Sequence, residues 1–168
     1  TPLSSALARE EHPFTIASTP TRPKTLEFII RTSGDWTKQL VRLRAGDRVL
    51  VDGPFGRFSY LRQPATSEIV LIAGGIGITP MLSMLRHMAD QNDQRDITLI
   101  WSHRSNDHLM LDPEFNRLQS RLKGLDIRPV FTGESGVDAD RRRLDPSKLK
   151  ELLKDCSPNP RIYICGPE

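Results

Sequence analysis

One stretch near the middle of the chain limits its fold more than any other. Residues 68–73 form a strand-sized and mostly apolar run, a glycine-rich segment follows at 74–77, and an amphipathic helix is predicted near Thr79–Asn92. A run that is apolar at successive positions is typical of a strand covered on both faces, as in a parallel sheet. The order of strand, tight loop and helix therefore predicts the first unit of a parallel α/β sheet.

The same alternation of strand and helix continues through the C-terminal half. This order is the pattern of a doubly wound parallel sheet. Thr79 is expected to cap the first helix, and Pro80 suits its first turn. The other predicted strands are Asp96–Trp101, Ile127–Phe131 and Arg161–Cys165, and the other predicted helices lie near Pro113–Leu122 and Pro146–Lys154.

The N-terminal third instead has the pattern of β-structure, and we expect the boundary between the two parts near Arg62–Ser67. Its β-rich runs are bounded by turn-forming residues, and the last run alternates so that Val49 and Val51 share a face. The predicted strands are Pro13–Ser18, Leu26–Arg31 and Arg48–Asp52.

Composition and charge exclude several classes of protein. Of the 168 residues, 37% are hydrophobic and 27% are charged, and the net charge of +3 suits an anionic dinucleotide as ligand. The sequence has no run of Lys and Arg interleaved with aromatic residues, which is the pattern that would suggest nucleic-acid binding. No apolar run approaches the roughly 20 residues of a membrane span, and no signal-peptide pattern is visible. The cysteines and histidines lack the spacing of a disulfide framework or a metal site; they are Cys156, Cys165, His12, His87, His103 and His108.

The glycine segment carries the strongest functional signal. Glycines between a strand and a helix allow a tight turn and the close approach of a phosphate, and the helix N-terminus favours negative charge. The alternative is a purely structural turn. If the loop binds a dinucleotide, a Cβ at Gly75 or Gly77 would intrude on the pyrophosphate, so Gly77→Val is expected to weaken binding without unfolding the domain. The loop residues assigned to the cofactor are Gly74, Gly75, Gly77, Ile78, Thr79 and Pro80.

Proline stands at position 80, where a third glycine usually occurs, and this variant resembles the NAD(P)H-binding loop of the ferredoxin–NADP reductase superfamily. Four further segments resemble the family in the same order. The His-Pro-Phe-Thr sequence at 12–15 resembles the flavin motif of its NADPH oxidase and ferric reductase branch. The others are Ile30–Thr37, Asp52–Gly56 and Ile164–Glu168.

This resemblance implies roles for residues at both cofactors. Phe14 would lie against the isoalloxazine ring, Thr15 near its N5 or O4, and His12 near the FAD phosphates or ribityl chain. Cys165 would pack beside the nicotinamide without acting as a nucleophile, and no catalytic acid or base is implied. Alternatively, these are ordinary strand, cap and core residues. The remaining residues assigned to the cofactors are Pro13, Arg31, Gly34, Asp35, Trp36, Thr37, Gly166 and Pro167.

The resemblance also implies the domain organisation. Residues 1–64 would form part of an antiparallel β-barrel that binds FAD, and residues 65–168 a Rossmann-like NAD(P)H-binding domain. The family's barrel has about six strands and its nucleotide domain continues beyond the equivalent of Glu168, so we expect both to be incomplete here and FAD to bind weakly to this chain alone.

The choice between NADPH and NADH depends on the tip of the second strand. An acidic residue there suits the free 2′-hydroxyl of NADH, whereas Arg suits a 2′-phosphate. Ser102 and Arg104 resemble the phosphate-binding pair of NADPH-using relatives, and Arg141–Arg143 could add charge. NADPH is therefore favoured, although a solvated basic loop remains the alternative and NADH stays possible.

The implied reaction is hydride transfer from NAD(P)H to FAD, followed by electron transfer to an acceptor. The acceptor could be a haem-bearing transmembrane domain, a ferric chelate, oxygen or an iron–sulfur protein. The branch resemblance favours the cytoplasmic dehydrogenase region of a membrane-bound ferric reductase or oxidase. A soluble FAD reductase and a non-enzymatic nucleotide-sensing module are the alternatives.

Overall fold

The computed structural model describes residues 10–62, 68–103, 111–132 and 144–167. Within these ranges, the strands form one parallel sheet in the order β3-β2-β1-β4. The doubly wound parallel sheet predicted from the sequence is therefore confirmed. The strands are β1 (Glu68–Gly74), β2 (Asp96–His103), β3 (Leu125–Phe131) and β4 (Arg161–Cys165).

The helices follow the predicted order with shifted ends. The first helix of the sheet domain begins at Ile78 because a 3-10 turn at Gly75–Gly77 leads directly into it. At the last helix, the Asp145 carboxylate accepts a hydrogen bond of 2.8 Å from the Lys148 N–H and so caps the first turn. The helices are α1 (Gly34–Gln39), α2 (Ile78–Asp90), α3 (Asp112–Arg121) and α4 (Pro146–Leu152).

The strand β1 is covered on both faces, which explains its apolar run. Alternate β1 side chains, including Ile69 and Leu71, pack with α2 and α3 in one core. Val70 and Ile72 point to the other face and pack near Leu149 of α4. Because successive side chains of a strand point to opposite faces, a strand between two helical layers must be apolar at every position.

The N-terminal part differs from the sequence prediction. Within residues 10–62, no continuous strand forms: Ile16 pairs with Phe28 in one antiparallel bridge, and the Ala17 N–H donates to the Glu27 carbonyl at 2.8 Å. Arg48–Asp52 contains a single bridge residue, Val49. An isolated pair of strands is only marginally stable, and this segment is held instead by side chains of α2.

Four polar residues of α2 make these contacts. Ser83 and Arg86 donate hydrogen bonds to carbonyls of residues 17 and 18. Nδ1 of His87 lies 2.6 Å from the hydroxyl of Tyr60, within hydrogen-bonding distance. Asp90 accepts from the Thr21 hydroxyl. The polar face of α2 is thus covered by the N-terminal part.

The contact at Asp90 predicts a dependence of stability on acid pH. The Thr21 hydroxyl, together with Arg121, lowers the pKa of the Asp90 carboxyl from 3.8 to about 2. A carboxyl whose pKa is lower in the folded state stabilises the fold above its unfolded pKa, and this contribution is lost as pH falls toward the folded pKa. The free energy of unfolding of the wild type should therefore decrease as the pH falls from 5 to 3. In Asp90→Asn this decrease should be smaller by about 1 kcal/mol.

Urea unfolding at both pH values measures this difference. Asp35→Asn is the matched control, because the Asp35 side chain is 95% exposed. If both variants keep the pH dependence of the wild type, the Asp90 carboxyl does not contribute in this way.

Candidate cofactor-binding site

The strand order places a topological switch point at the carboxyl ends of β1 and β4. The chain runs from β1 outward to β2 and β3, and then returns to place β4 on the opposite side of β1. In open parallel sheets, ligands bind where the strand order reverses in this way. The glycine loop after β1 and residues 165–167 after β4 meet at this point.

Close backbone packing joins these two segments. A Cβ on Gly74 would lie 3.0 Å from Cδ of Pro167, and a Cβ on Gly166 would lie 3.1 Å from Cα of Gly74. At Gly77 the added atom would lie only 2.1 Å from the Cys165 carbonyl oxygen. Gly77 is therefore needed for packing inside the protein, and the expectation that Gly77→Val would leave the fold intact is wrong.

The helix start also differs from the expectation. Gly77 is the N-cap residue, and Thr79 lies inside the first turn, where its hydroxyl donates to the Ile76 carbonyl at 3.1 Å. The Ile78 N–H already donates within the 3-10 turn. The side chains of Ile78, Thr79 and Pro80 are buried in the protein. Thr79 is thus not the cap, and the assignment of these three residues to the cofactor stays a prediction.

Gly75 is the loop residue with the geometry of a phosphate cradle. Its φ of +50° is a conformation that other residues rarely adopt, and a Cβ there would meet nothing closer than Nη1 of Arg31, at 3.7 Å. The Gly75 carbonyl accepts a hydrogen bond of 3.0 Å from Nε1 of Trp101, which holds the loop against β2. An open backbone beside a guanidinium fits a pyrophosphate.

The residues assigned to FAD form a second cluster in the N-terminal part. The ring centroids of His12 and Trp36 lie 4.0 Å apart, and those of Phe14 and Trp36 lie 6.0 Å apart. Pro13 and Thr15, which flank Phe14 in the chain, are exposed. The sequence prediction that these side chains share one site agrees with this proximity.

The short helix α1 is organised by its own side chains. The Thr37 hydroxyl accepts from the Ser33 N–H at 2.7 Å and lies 2.6 Å from the Ser33 carbonyl. Gly34 has a φ of +80°, and the exposed Asp35 pairs with Lys38 at 3.3 Å. Ser33, rather than Asp35, occupies the N-cap position.

Of the residues proposed to choose between NADPH and NADH, the structure describes Ser102 alone. Ser102 pairs with Gly74 in the β1–β2 register, so it lies beside the loop. Arg104 and Arg141–Arg143 lie outside the described residues. A cavity of about 300 Å³ lies between α3 and the ends of β2 and β3, and its aromatic lining includes Trp101, His103 and Phe131.

Two further features bear on the class of site. In the described ranges, no three His, Cys, Asp or Glu side chains come together as a metal site. No helix among the described residues is long and apolar enough to cross a membrane.

Sequence analysis missed the residues that hold the two clusters in place. Trp101 was assigned only to a strand, although its indole N–H fixes the glycine loop. The polar residues of α2 were identified only as one side of an amphipathic helix. Their spacing of three and four residues showed that they share a face, but no local pattern could show that another segment covers that face.

A parallel sheet with a glycine loop at its switch point defines a dinucleotide-binding α/β protein. Residues 71–168 match the model of the oxidoreductase NAD-binding domain, and residues 2–59 match that of a FAD-binding domain. The first match covers more than half of the chain, so the protein belongs to the oxidoreductase NAD-binding domain family.

Three known proteins illustrate the similarity. NADH-cytochrome b5 reductase 2 of Mycosarcoma maydis is 28% identical over 168 residues, which cover 92% of this chain and 46% of that protein. A cytochrome P450 reductase of Amycolatopsis superimposes with a TM-score of 0.72 and 25% identity, over 92% of this chain and 47% of that one.

The third is a Neisseria gonorrhoeae ferredoxin NADP+ reductase with bound FAD and NADP. Its TM-score is 0.70 at 22% identity, over 91% of this chain and 65% of that one. These matches confirm the ferredoxin–NADP reductase-like fold. They also show that the chain spans less than two thirds of each of these proteins.

Proposed function

We propose that this protein is the FAD- and NAD(P)H-binding reductase region of an oxidoreductase that passes electrons from NAD(P)H to an acceptor. One observation carries the proposal: Arg31 of the N-terminal part lies beside Gly75 of the nucleotide loop. The two predicted cofactor sites therefore approach each other at the switch point of the sheet. The family models for a FAD-binding and an NAD-binding domain support the same pairing.

The protein's contribution to such a reaction is binding and alignment. FAD, when bound, would supply the chemistry of hydride acceptance and of onward electron transfer. The glycine loop and Arg31 would hold phosphate groups, the ring cluster of His12, Phe14 and Trp36 would border the flavin, and Cys165 at the end of β4 would border the nicotinamide. No side chain needs to take a proton from the substrate. The proposed domains are 1–64 for FAD and 65–168 for NAD(P)H.

The acceptor is the least constrained part of the proposal. The His-Pro-Phe-Thr sequence at 12–15 favours a ferric reductase or NADPH oxidase-like parent, working at the cytoplasmic face of a membrane. The relatives named for cytochrome b5 and cytochrome P450 favour a haem-protein acceptor and support a soluble reductase equally well. Reduction of a ferric chelate, of a cytochrome or of oxygen by the full-length protein separates these acceptors.

The test of the proposal uses the full-length protein. It should carry FAD, seen as absorbance near 450 nm, and should reduce an artificial dye with NADPH or NADH. Phe14→Ala should lower FAD affinity about fivefold, because an aromatic contact contributes about 1 kcal/mol beyond its buried area. Phe58→Ala is the control, since Phe58 packs edge-on against Tyr163 with ring centroids 5.8 Å apart.

One result would contradict this function, and another would contradict the role of Phe14. A full-length protein that binds NAD(P)H but neither holds FAD nor reduces any dye would be a nucleotide-sensing module. FAD affinity that is unchanged by Phe14→Ala, or lowered equally by Phe58→Ala, would remove Phe14 from the flavin site.

A further inference from the structure

The polar face of α2 connects the two cofactor sites through one rigid element. The helix starts at Ile78, directly after the glycine loop. Ser83, Arg86, His87 and Asp90 follow at a spacing of three, four and seven residues, and so lie on one face. Each of the four contacts the N-terminal part.

Arg86 makes the most extensive of these contacts. Its Nη1 donates to the Ala17 carbonyl at 2.7 Å and lies 2.9 Å from Oε1 of Glu27, while its Nε donates to Oε1 of Glu114 at 2.7 Å. The Arg86 side chain is only 13% exposed. A planar guanidinium that meets several acceptors at once fixes their relative positions, which a flexible ammonium group cannot do.

The neighbouring charges keep this contact ionised. Burial alone would raise the pKa of the Glu114 carboxyl, but hydrogen bonds from Arg117 and Arg86 outweigh burial and lower the pKa. Burial likewise opposes the charge of Arg86, and its bonds to Glu114 and Glu27 raise the pKa of the guanidinium above its usual value. Glu114 lies on α3, so Arg86 links two helices of the sheet domain to the N-terminal part.

The backbone atoms held by α2 belong to the segment that carries the flavin-side residues. Arg86 holds the carbonyl of Ala17, and the Ser83 hydroxyl donates to the carbonyl of Ser18 at 2.8 Å. Phe14 and Thr15 precede Ala17 by three and two residues. Ala17 and Ser18 are buried, so this part of the segment cannot shift freely.

We propose that Arg86, assisted by Ser83, is a positioning residue that sets the distance between the flavin-side segment at 12–18 and the nucleotide loop at 74–77. This role rests on the proposed function, because it matters only if hydride passes between the two sites. Arg86 touches neither predicted ring site and acts through the backbone of residues 17 and 18. A displacement of about 1 Å between reacting groups can slow a reaction a hundredfold, so such a contact would control the rate rather than the affinity.

The first measurement is hydrogen–deuterium exchange in the FAD-loaded full-length protein. Arg86→Met should increase exchange in residues 12–19 and 26–28, because the carbonyl of Ala17 and the carboxylate of Glu27 lose their partner. Arg117→Met is the matched control: Arg117 pairs with the same Glu114 at 2.7 Å, from a position that is 50% exposed. It should leave exchange in those residues unchanged.

The second measurement is the rate of flavin reduction after rapid mixing with NAD(P)H. Arg86→Met should lower the rate at saturating NAD(P)H about tenfold to a hundredfold, with the dissociation constant for NAD(P)H within about twofold of the wild type. The long-wavelength charge-transfer absorbance of the nicotinamide–flavin complex should weaken in parallel. Ser83→Ala should show a smaller change of the same kind, and it decides the question if Arg86→Met does not fold.

The outcomes separate this inference from the proposed function. Equal exchange in Arg86→Met and Arg117→Met, or flavin reduction as fast as in the wild type, would overturn the positioning role while the reductase function stands. A wild-type protein whose flavin is not reduced by NAD(P)H would overturn the proposed function, and with it the positioning role for hydride transfer.

Discussion

Gly77→Val is expected to unfold the sheet domain or to destabilise it by about 4 kcal/mol or more, the range of severe core substitutions. The physical reason is the distance of 2.1 Å between the position of an added Cβ and the Cys165 carbonyl oxygen, with the Gly166 nitrogen at 3.0 Å. Both neighbours are backbone atoms at the end of β4, so no side chain can move aside. Thermal unfolding followed by circular dichroism measures the loss.

Gly75→Ala separates this packing effect from nucleotide binding. A Cβ at Gly75 has room inside the protein, and the φ of +50° would cost a non-glycine residue about 1–2 kcal/mol. The Gly75→Ala protein should therefore fold and still bind NAD(P)H more weakly than the wild type. A Gly77→Val protein as stable as the wild type would show that the loop does not pack against β4 as described, and unchanged NAD(P)H affinity in folded Gly75→Ala would remove Gly75 from the nucleotide site.

Arg104→Ala is expected to lower the preference for NADPH over NADH about tenfold to a hundredfold. Only NADPH presents a 2′-phosphate, and a charge-assisted hydrogen bond to it contributes about 1.5–3 kcal/mol. Arg104 stands two positions after Ser102 in the sequence, and Ser102 lies next to the glycine loop in the β1–β2 register. The measurement is the ratio of the dissociation constants of the two nucleotides at fixed salt concentration.

The control for this change is Arg48→Ala, which removes the same charge from an exposed position in the N-terminal part. It should leave the NADPH-to-NADH ratio unchanged. If Arg104→Ala lowers the affinities for NADPH and NADH by the same factor, the assignment of NADPH as the preferred cofactor is contradicted.

The central strands β1 and β2 could be predicted within a few residues because burial on both faces gives a run of apolar residues that is visible in the local sequence. The edge strands β3 and β4 are partly exposed and were predicted from their β-rich composition and their place in the strand–helix alternation. Arg161–Cys165 was predicted and observed with the same ends. The second strand continues past Trp101 to His103, since Ser102 and His103 pair with Val130 and Phe131 of β3. Hydrogen bonding to a neighbouring strand extends the ladder through polar residues that no apolar pattern marks.

The N-terminal strands show the opposite case. Alternation at Val49 and Val51 indicates which side chains could share a face, but both remain about half exposed, at 51% and 47%. A strand forms only when a neighbour supplies hydrogen bonds, and the pattern of one segment does not specify its neighbour. The flavin-side segment is held instead by Ser83 and Arg86 of α2.

The amino-acid sequence by itself determined the parallel sheet and the glycine loop, because strand burial and turn conformation are properties of neighbouring residues. Short motifs also predicted that His12, Phe14 and Trp36 share a site, and their rings lie close together. The tertiary structure alone showed that Gly77 is required by Cys165 and that Arg86 holds Ala17. Both relationships join residues far apart in the chain, and they depend on the distances that the packed sheet and helix α2 impose.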